Sequence, residues 1–164
     1  MSGVSVVRYL LANNAPVVAA VGSAARIVFG EIALNTVLPA IEVRQISGTP
    51  RNTLAMSETG TLHSDRVQVT CLAKTWAAKE AMMALLLAAC PNQRGTVNSV
   101  VVDSIIRDIE GPDLSDPATS IYAKSRDFMV RWKTASAVPA TARLTEDGGV
   151  RLAEDGSIRL TEGT

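Results

Sequence analysis

His63, Ser64 and Asp65 are consecutive, and they are the residue types of a nucleophilic hydrolase triad. A triad works only when base, nucleophile and orienting acid converge in space. Neighbours along a strand point to alternate faces, so these three cannot all converge. His63, the only histidine, therefore reads as a structural residue at the start of a strand. Cys71 falls in a strand pattern and Cys90 at a helix end. With no histidine or cysteine partner at metal-ligand spacing, both read as buried free thiols. Asp103, Asp108, Glu110, Asp113 and Asp116 form an acidic stretch. Two of them fall on opposite faces of a strand and the rest in a loop, which suits a solvated loop better than a calcium or magnesium site. Gly22 and Gly30 match neither nucleotide-binding fingerprint. The arginines are scattered among acids, and only two Phe, two Tyr and two Trp are available for stacking, so no nucleic-acid surface is expected. No catalytic group, cofactor site or metal site is predicted, and the chain reads as a non-enzyme.

The totals point the same way. At 164 residues, with 47% hydrophobic and 20% charged residues, the chain can build one domain with a substantial core. Sixteen basic and sixteen acidic residues cancel, leaving no global field for nucleic acid or anionic lipid. The longest uncharged apolar run, residues 81–90, is far short of the roughly 20 residues a membrane helix needs, so no membrane partner is expected. The N-terminus lacks a basic region ahead of its apolar part and reads as folded helix rather than an export signal. Together with the thiols, this implies synthesis in a reducing cytoplasm.

The elements that must position these residues are organised around residues 76–90, WAAKEAMMALLLAAC. Thr75 is its expected N-cap and Pro91 its stop. At about 100° per residue, Ala77, Ala81, Ala84 and Ala88 make one narrow stripe, while Trp76, Met82, Met83, Leu85, Leu86 and Leu87 fill much of the rest. A helix without a polar face in its second half should be covered on most sides. What approaches the alanine stripe is either another helix of the chain or a neighbouring copy.

Before this helix, the spacing predicts a helix over 4–13, a short one over 16–21 ended by Gly22, and strands over 26–29 and 40–46. A polar loop over 48–61 follows, long enough to be functional. The strand over 62–74 alternates cleanly, with Val67, Val69, Cys71 and Ala73 inward. After the helix come a strand over 97–109, apolar in both parities and hence expected to be covered on both faces, and a loop over 111–120. A last strand over 122–133 turns Phe128, Val130 and Trp132 inward. The fold class is α+β, a mainly antiparallel sheet of about five strands with helices on one face.

Residues 1–135 form that domain; 136–164 read as a linker and C-terminal arm. From Ala142 the chain repeats every eight residues, ARLTEDGG, VRLAEDGS, IRLTEGT. The arm carries three arginines against five acids, which leaves the body at +2. Asp147-Gly148 and Asp155-Gly156 are hairpin signals, and Leu144, Leu152 and Leu160 recur at one phase. This is either a flexible tail or a strand-forming arm that orders on a partner.

The order of blocks resembles a known family. LLANNAPVVAAVG, RIVFGEI and LPAIEV, followed by VQVTCLAKT, an Ala/Leu-rich helix and SRDFMVRW, are similar to the tail-completion or tail-terminator proteins of long, non-contractile-tailed bacteriophages. The matching positions are Gly22, Arg26, Ile27, Pro39 and Ile41, and the likeness covers roughly residues 5–133. It implies a non-catalytic virion subunit that forms a six-fold ring, caps the tail tube and offers a surface to the head–tail connector. Its expected partners are itself, the tail tube protein and the connector protein. Its expected place is the head-proximal end of the tail, after a period in the host cytoplasm. A ring needs heterologous contacts, two different faces per subunit. The residues expected to supply them are Arg51, Asn52, Thr53, Leu54 and Met56 in the long loop, the alanine stripe, and the three arm leucines. Another head–tail connector or tail subunit is the alternative within this class. A small-molecule-binding or regulatory module is the alternative outside it, and that would require a concave pocket with convergent polar groups.

Overall fold

The computed structural model describes residues 2–33, 35–51, 61–116 and 118–133. The elements run α1 (Gly3–Ala12), α2 (Ala15–Val21), β1 (Ile27–Phe29), β2 (Ala40–Arg51), β3 (Leu62–Ala73), α3 (Trp76–Ala89), β4 (Gly95–Val97), β5 (Val100–Asp116) and β6 (Ile121–Lys133). The strands make one sheet in the order β1-β2-β3-β6-β5-β4. Every pair is antiparallel except β1–β2, which is parallel because the chain crosses over between them. The fold is therefore α+β as expected, but its sheet is mixed and has six described strands rather than about five.

The sixth strand comes from the segment read as one strand over 97–109. Asn98 and Ser99 both take left-handed conformations (φ 48° and 62°), the geometry of a two-residue hairpin turn, and they split β4 from β5. The expectation that β5 is covered on both faces also fails. Its register against β6 slips between Val102 and Ser104. One extra residue there puts Val102 and Ile105 on the same face, both buried, and leaves Val101 and Ile106 43% and 41% exposed on the other. Nor is 111–116 a loop, because β5 continues to Asp116 through two further slips. Likewise β2 runs to Arg51, so the first four residues of the expected 48–61 loop are strand, paired with β3.

Three helices cover the inner face. Val6, Val7 and Leu11 of α1, Val17 and Val21 of α2, and Met82, Met83 and Leu86 of α3 join one core with the inward residues Val67, Val69, Cys71, Phe128, Val130 and Trp132. The helix ends are where residue chemistry puts them. The Asn14 side chain accepts from Val17 N (3.2 Å) and Thr75 Oγ1 from Ala78 N (3.2 Å).

The residues that carry the family resemblance are structural. Gly22 ends α2 with φ +81°, which favours glycine. Arg26 donates to the carbonyl of Val21 (2.7 Å) at that same helix end. Ile27 and Ile41 are register partners in the parallel pair, both fully buried. Pro39, after a cis peptide bond, leads into β2.

Candidate interaction surfaces

The His-Ser-Asp run resolves into a latch. Strand alternation sends Ser64 to the outer face, where its hydroxyl donates to Met129 Sδ (3.3 Å), and sends His63 and Asp65 to the helix face. His63 stacks on Trp132 of β6, ring centroids 4.3 Å apart. Asp65 is 3% exposed. It accepts from the backbone N–H of Gly3 (2.7 Å) and from the Trp132 indole N–H (2.7 Å). A carboxylate at the first turn of a helix also answers the positive end of its dipole. The approach is so close that a Cβ on Gly3 would lie 2.8 Å from Asp65 Cβ. The signal in the sequence was an aspartate in phase with Val67, Val69 and Cys71, an inward position that demands a partner.

The whole acidic stretch lies along β5, not partly in a loop as expected, and each member has a partner. Asp103 pairs with Arg94 (3.1 Å), Asp108 with Arg66 (3.7 Å), and Glu110 with Lys124 (2.8 Å) and Arg126 (2.6 Å). Asp116 accepts from the Thr119 hydroxyl and from Ala118 N–H. Asp113 binds Lys79, whose side chain is 2% exposed beneath the β5–β6 hairpin and also meets Glu80 (3.1 Å). Among the described residues, no three His, Cys, Asp or Glu come together as a metal ion requires. Cys71 and Cys90 are buried and unbridged. Burial pushes both thiols up to about 12, which makes them poor nucleophiles.

This ion cluster clamps the hairpin over α3 and predicts a pH profile. Lys79's hydrogen bond holds the Asp113 carboxyl below its ordinary value, and Lys124's does the same to Glu110. Burial opposes the charge on Lys79, yet the Asp113 and Glu80 carboxylates outweigh it and raise its pKa. Glu110 raises that of Lys124. A depressed carboxylate stabilises the fold above its unfolded pKa and loses that stabilisation as pH falls through the folded value. A raised lysine stabilises below its unfolded pKa and loses that as pH rises through the folded value. Thermal midpoints should therefore be level between about pH 5 and about pH 8 and fall on both sides, the alkaline fall starting where the thiols ionise in the unfolded chain but not in the buried sites. In Lys79→Met, which leaves Asp113 half-exposed to water, the Asp113 carboxyl returns toward its ordinary value, so the plateau should drop and the acid limb become shallower. An acid limb of unchanged depth would show that the clamp contributes nothing.

The surface of α3 that faces solvent is uncharged. Ala77, Ala81, Ala84 and Ala88 are all exposed, and Trp76 at the helix start is 57% exposed. Of the helix's two charges, Lys79 is turned inward and Glu80 is held to Lys124 (3.4 Å). No described helix of the chain covers the alanine stripe, which removes that sequence-based alternative among the described residues. Arg51, the last described residue of β2, is exposed and pairs with Leu62, the first residue of β3. Asn52, Thr53, Leu54 and Met56, like Leu144, Leu152 and Leu160, lie outside the described residues.

A cleft of about 450 Å³ opens between the β1–β2 connection and the β5–β6 turn. Its lining is mostly apolar, including Ile32, Leu38, Leu72 and Ile121. Its hydroxyls are committed locally: Thr36 donates to Ala33 O and Thr119 to Asp116. Lys74 and Asn35 remain, which is little polar guidance for a small molecule. No single described helix is long and apolar enough to cross a membrane.

No protein-family model matches the chain, and no curated protein does. A solved structure matches in fold: a chain from the "virion of native gene transfer agent (GTA) particle", with TM-score 0.59 and 12% identity, over 81% of this chain and 96% of that one. This chain shares the fold of a virion component. Because nearly the whole of that chain is matched, the likeness is to a complete subunit rather than to a recurring fragment.

Proposed function

We propose that this chain is a structural protein of a phage-like virion, a tail-terminator or tail-completion subunit. It forms a ring, six-fold by resemblance, that caps the tail tube at its head-proximal end and joins it to the head–tail connector. Before assembly it resides in the host cytoplasm. The observation that carries the reading is the fold shared with the gene transfer agent virion chain over 96% of that chain's length. The terminator assignment within that class is supported by Gly22, Arg26, Ile27, Pro39 and Ile41, which resemble the family's pattern and occupy the α2–β1–β2 junction.

The surfaces suit a ring subunit. A heterologous ring contact needs two unlike faces, and the molecule has an uncharged helical stripe on α3 and a polar, charged outer sheet face. The β2–β3 hairpin with Arg51 is the segment proposed to reach the tube or a neighbour. Electron microscopy of particles assembled with and without the protein tests the reading. Without it, tails should vary in length and heads should remain unjoined. Uniform, head-joined tails in its absence would refute the role.

A further inference from the structure

The outer face of the sheet, which no described helix covers, is ordered in rows by the register. Arg51, Leu62, Lys133 and Val101 form one row across β2, β3, β6 and β5. Thr49, Ser64, Arg131 and Ser104 form the next on the same face, and Ser47, Arg66, Met129 and Ile106 the one after. Arg51, Arg131 and Lys133 are exposed. None of the three has an ion-pair partner among the described residues: of the acids on this face, Asp108 and Asp127 are taken by Arg66 and Glu42 by Arg44. Beside the cations lie Val101 and Ile106, both more than two-fifths exposed. The face therefore combines three unpaired cations with an apolar strip.

We propose that residues 142–164 of the same chain lie across this face. Three observations point to that occupant. Lys133, the last residue of β6, is itself a member of the cationic row. The eight residues 134–141 can span at most about 28 Å, while the four strands of the face cover about 15 Å, so the repeat can reach it. The charges are complementary: the repeat segment carries five acids against three arginines, facing three cations.

The spacing within the repeat fits as well. Each unit places a leucine two residues before a glutamate, as in Leu144 and Glu146, Leu152 and Glu154, Leu160 and Glu162. In any extended segment, residues two apart share a side, with Arg143, Arg151 and Arg159 on the other. Each unit thus presents an apolar group and a carboxylate together, the complement of Val101 or Ile106 beside Arg131 or Lys133.

Trypsin cleavage after Arg143, Arg151 and Arg159 reads the contact. In the full chain at low salt, cleavage should be about tenfold slower than in a free peptide of residues 134–164, an opening free energy of ~1.4 kcal/mol. The double variant Arg131→Glu/Lys133→Glu changes two exposed side chains. It should keep the wild-type circular dichroism and be cut at the peptide rate. Cleavage of the wild-type arm at the peptide rate overturns the proposal, as does protection that survives the charge reversal. Protection that disappears on dilution overturns it in favour of a neighbouring copy's face.

Discussion

Asp65→Ala is expected to cost the fold about 3 kcal/mol. The side chain is the acceptor for two buried donors, the Gly3 N–H and the Trp132 indole N–H, both at 2.7 Å. Stranding a buried donor costs about 1–3 kcal/mol, and bonds to a charged acceptor lie at the upper end. Removing a buried charge recovers some desolvation free energy, so the two losses do not add in full. Against a total stability of about 5–15 kcal/mol, the effect is large. In Asp65→Asn one oxygen can still accept, and the loss should be about half. The urea midpoint should fall with little change in slope. Amides in the first turn of α1 should lose hydrogen-exchange protection beyond the global change, because Asp65 ties that turn to β3 and β6. A loss under about 1 kcal/mol would mean that water replaces the carboxylate and that α1 is held by its apolar face alone.

Ala81→Arg or Ala84→Arg should do the reverse, leaving the subunit stable while removing its assembly. Both positions are exposed on α3, so stability should shift by no more than about 0.5 kcal/mol. If the stripe is the subunit contact proposed above, the guanidinium must be buried without a partner, at a cost of several kcal/mol, and the small-residue approach is blocked. Incorporation into particles should then fall about a hundredfold or more, with tails as irregular as in the absence of the protein. Ala81→Ser, which adds one small hydroxyl, should assemble. Wild-type incorporation of both arginine variants would take the stripe out of the interface.

The parts of the fold that could be read in the chain are those governed by local chemistry. Thr75 and Pro91 bracket α3, Gly22 ends α2, and the alternation of Val67, Val69, Cys71 and Ala73 orients β3; the structure agrees with each. The misreadings share one cause, which is register. Asn98-Ser99 makes a hairpin turn without the glycine that usually marks one. The slip between Val102 and Ser104 gives β5 a parity that no count along the sequence reveals. Asp113 and Asp116 looked like loop residues because Gly111 and Pro112 discourage strand, yet pairing with β6 and the Lys79 clamp hold them in β5.

The candidate surfaces divide the same way. The alanine stripe was visible because helical spacing is a property of the chain itself. Its exposure was not, because whether a face is covered depends on where other elements pack. Arg51 is far in sequence from Arg131 and Lys133, all three without an ion-pair partner among the described residues, and it meets them only through β2–β3–β6 pairing. Composition, capping and periodicity thus determined that this is an α+β protein with a helix-covered sheet. Only tertiary structure decided that Asp65 is a latch, that α3 turns an uncharged face to solvent, and that one sheet face carries charges without partners among the described residues. The reason is physical: turn and helix preferences act over a few neighbouring residues, whereas burial and ion pairing are set by strands brought together from distant parts of the chain.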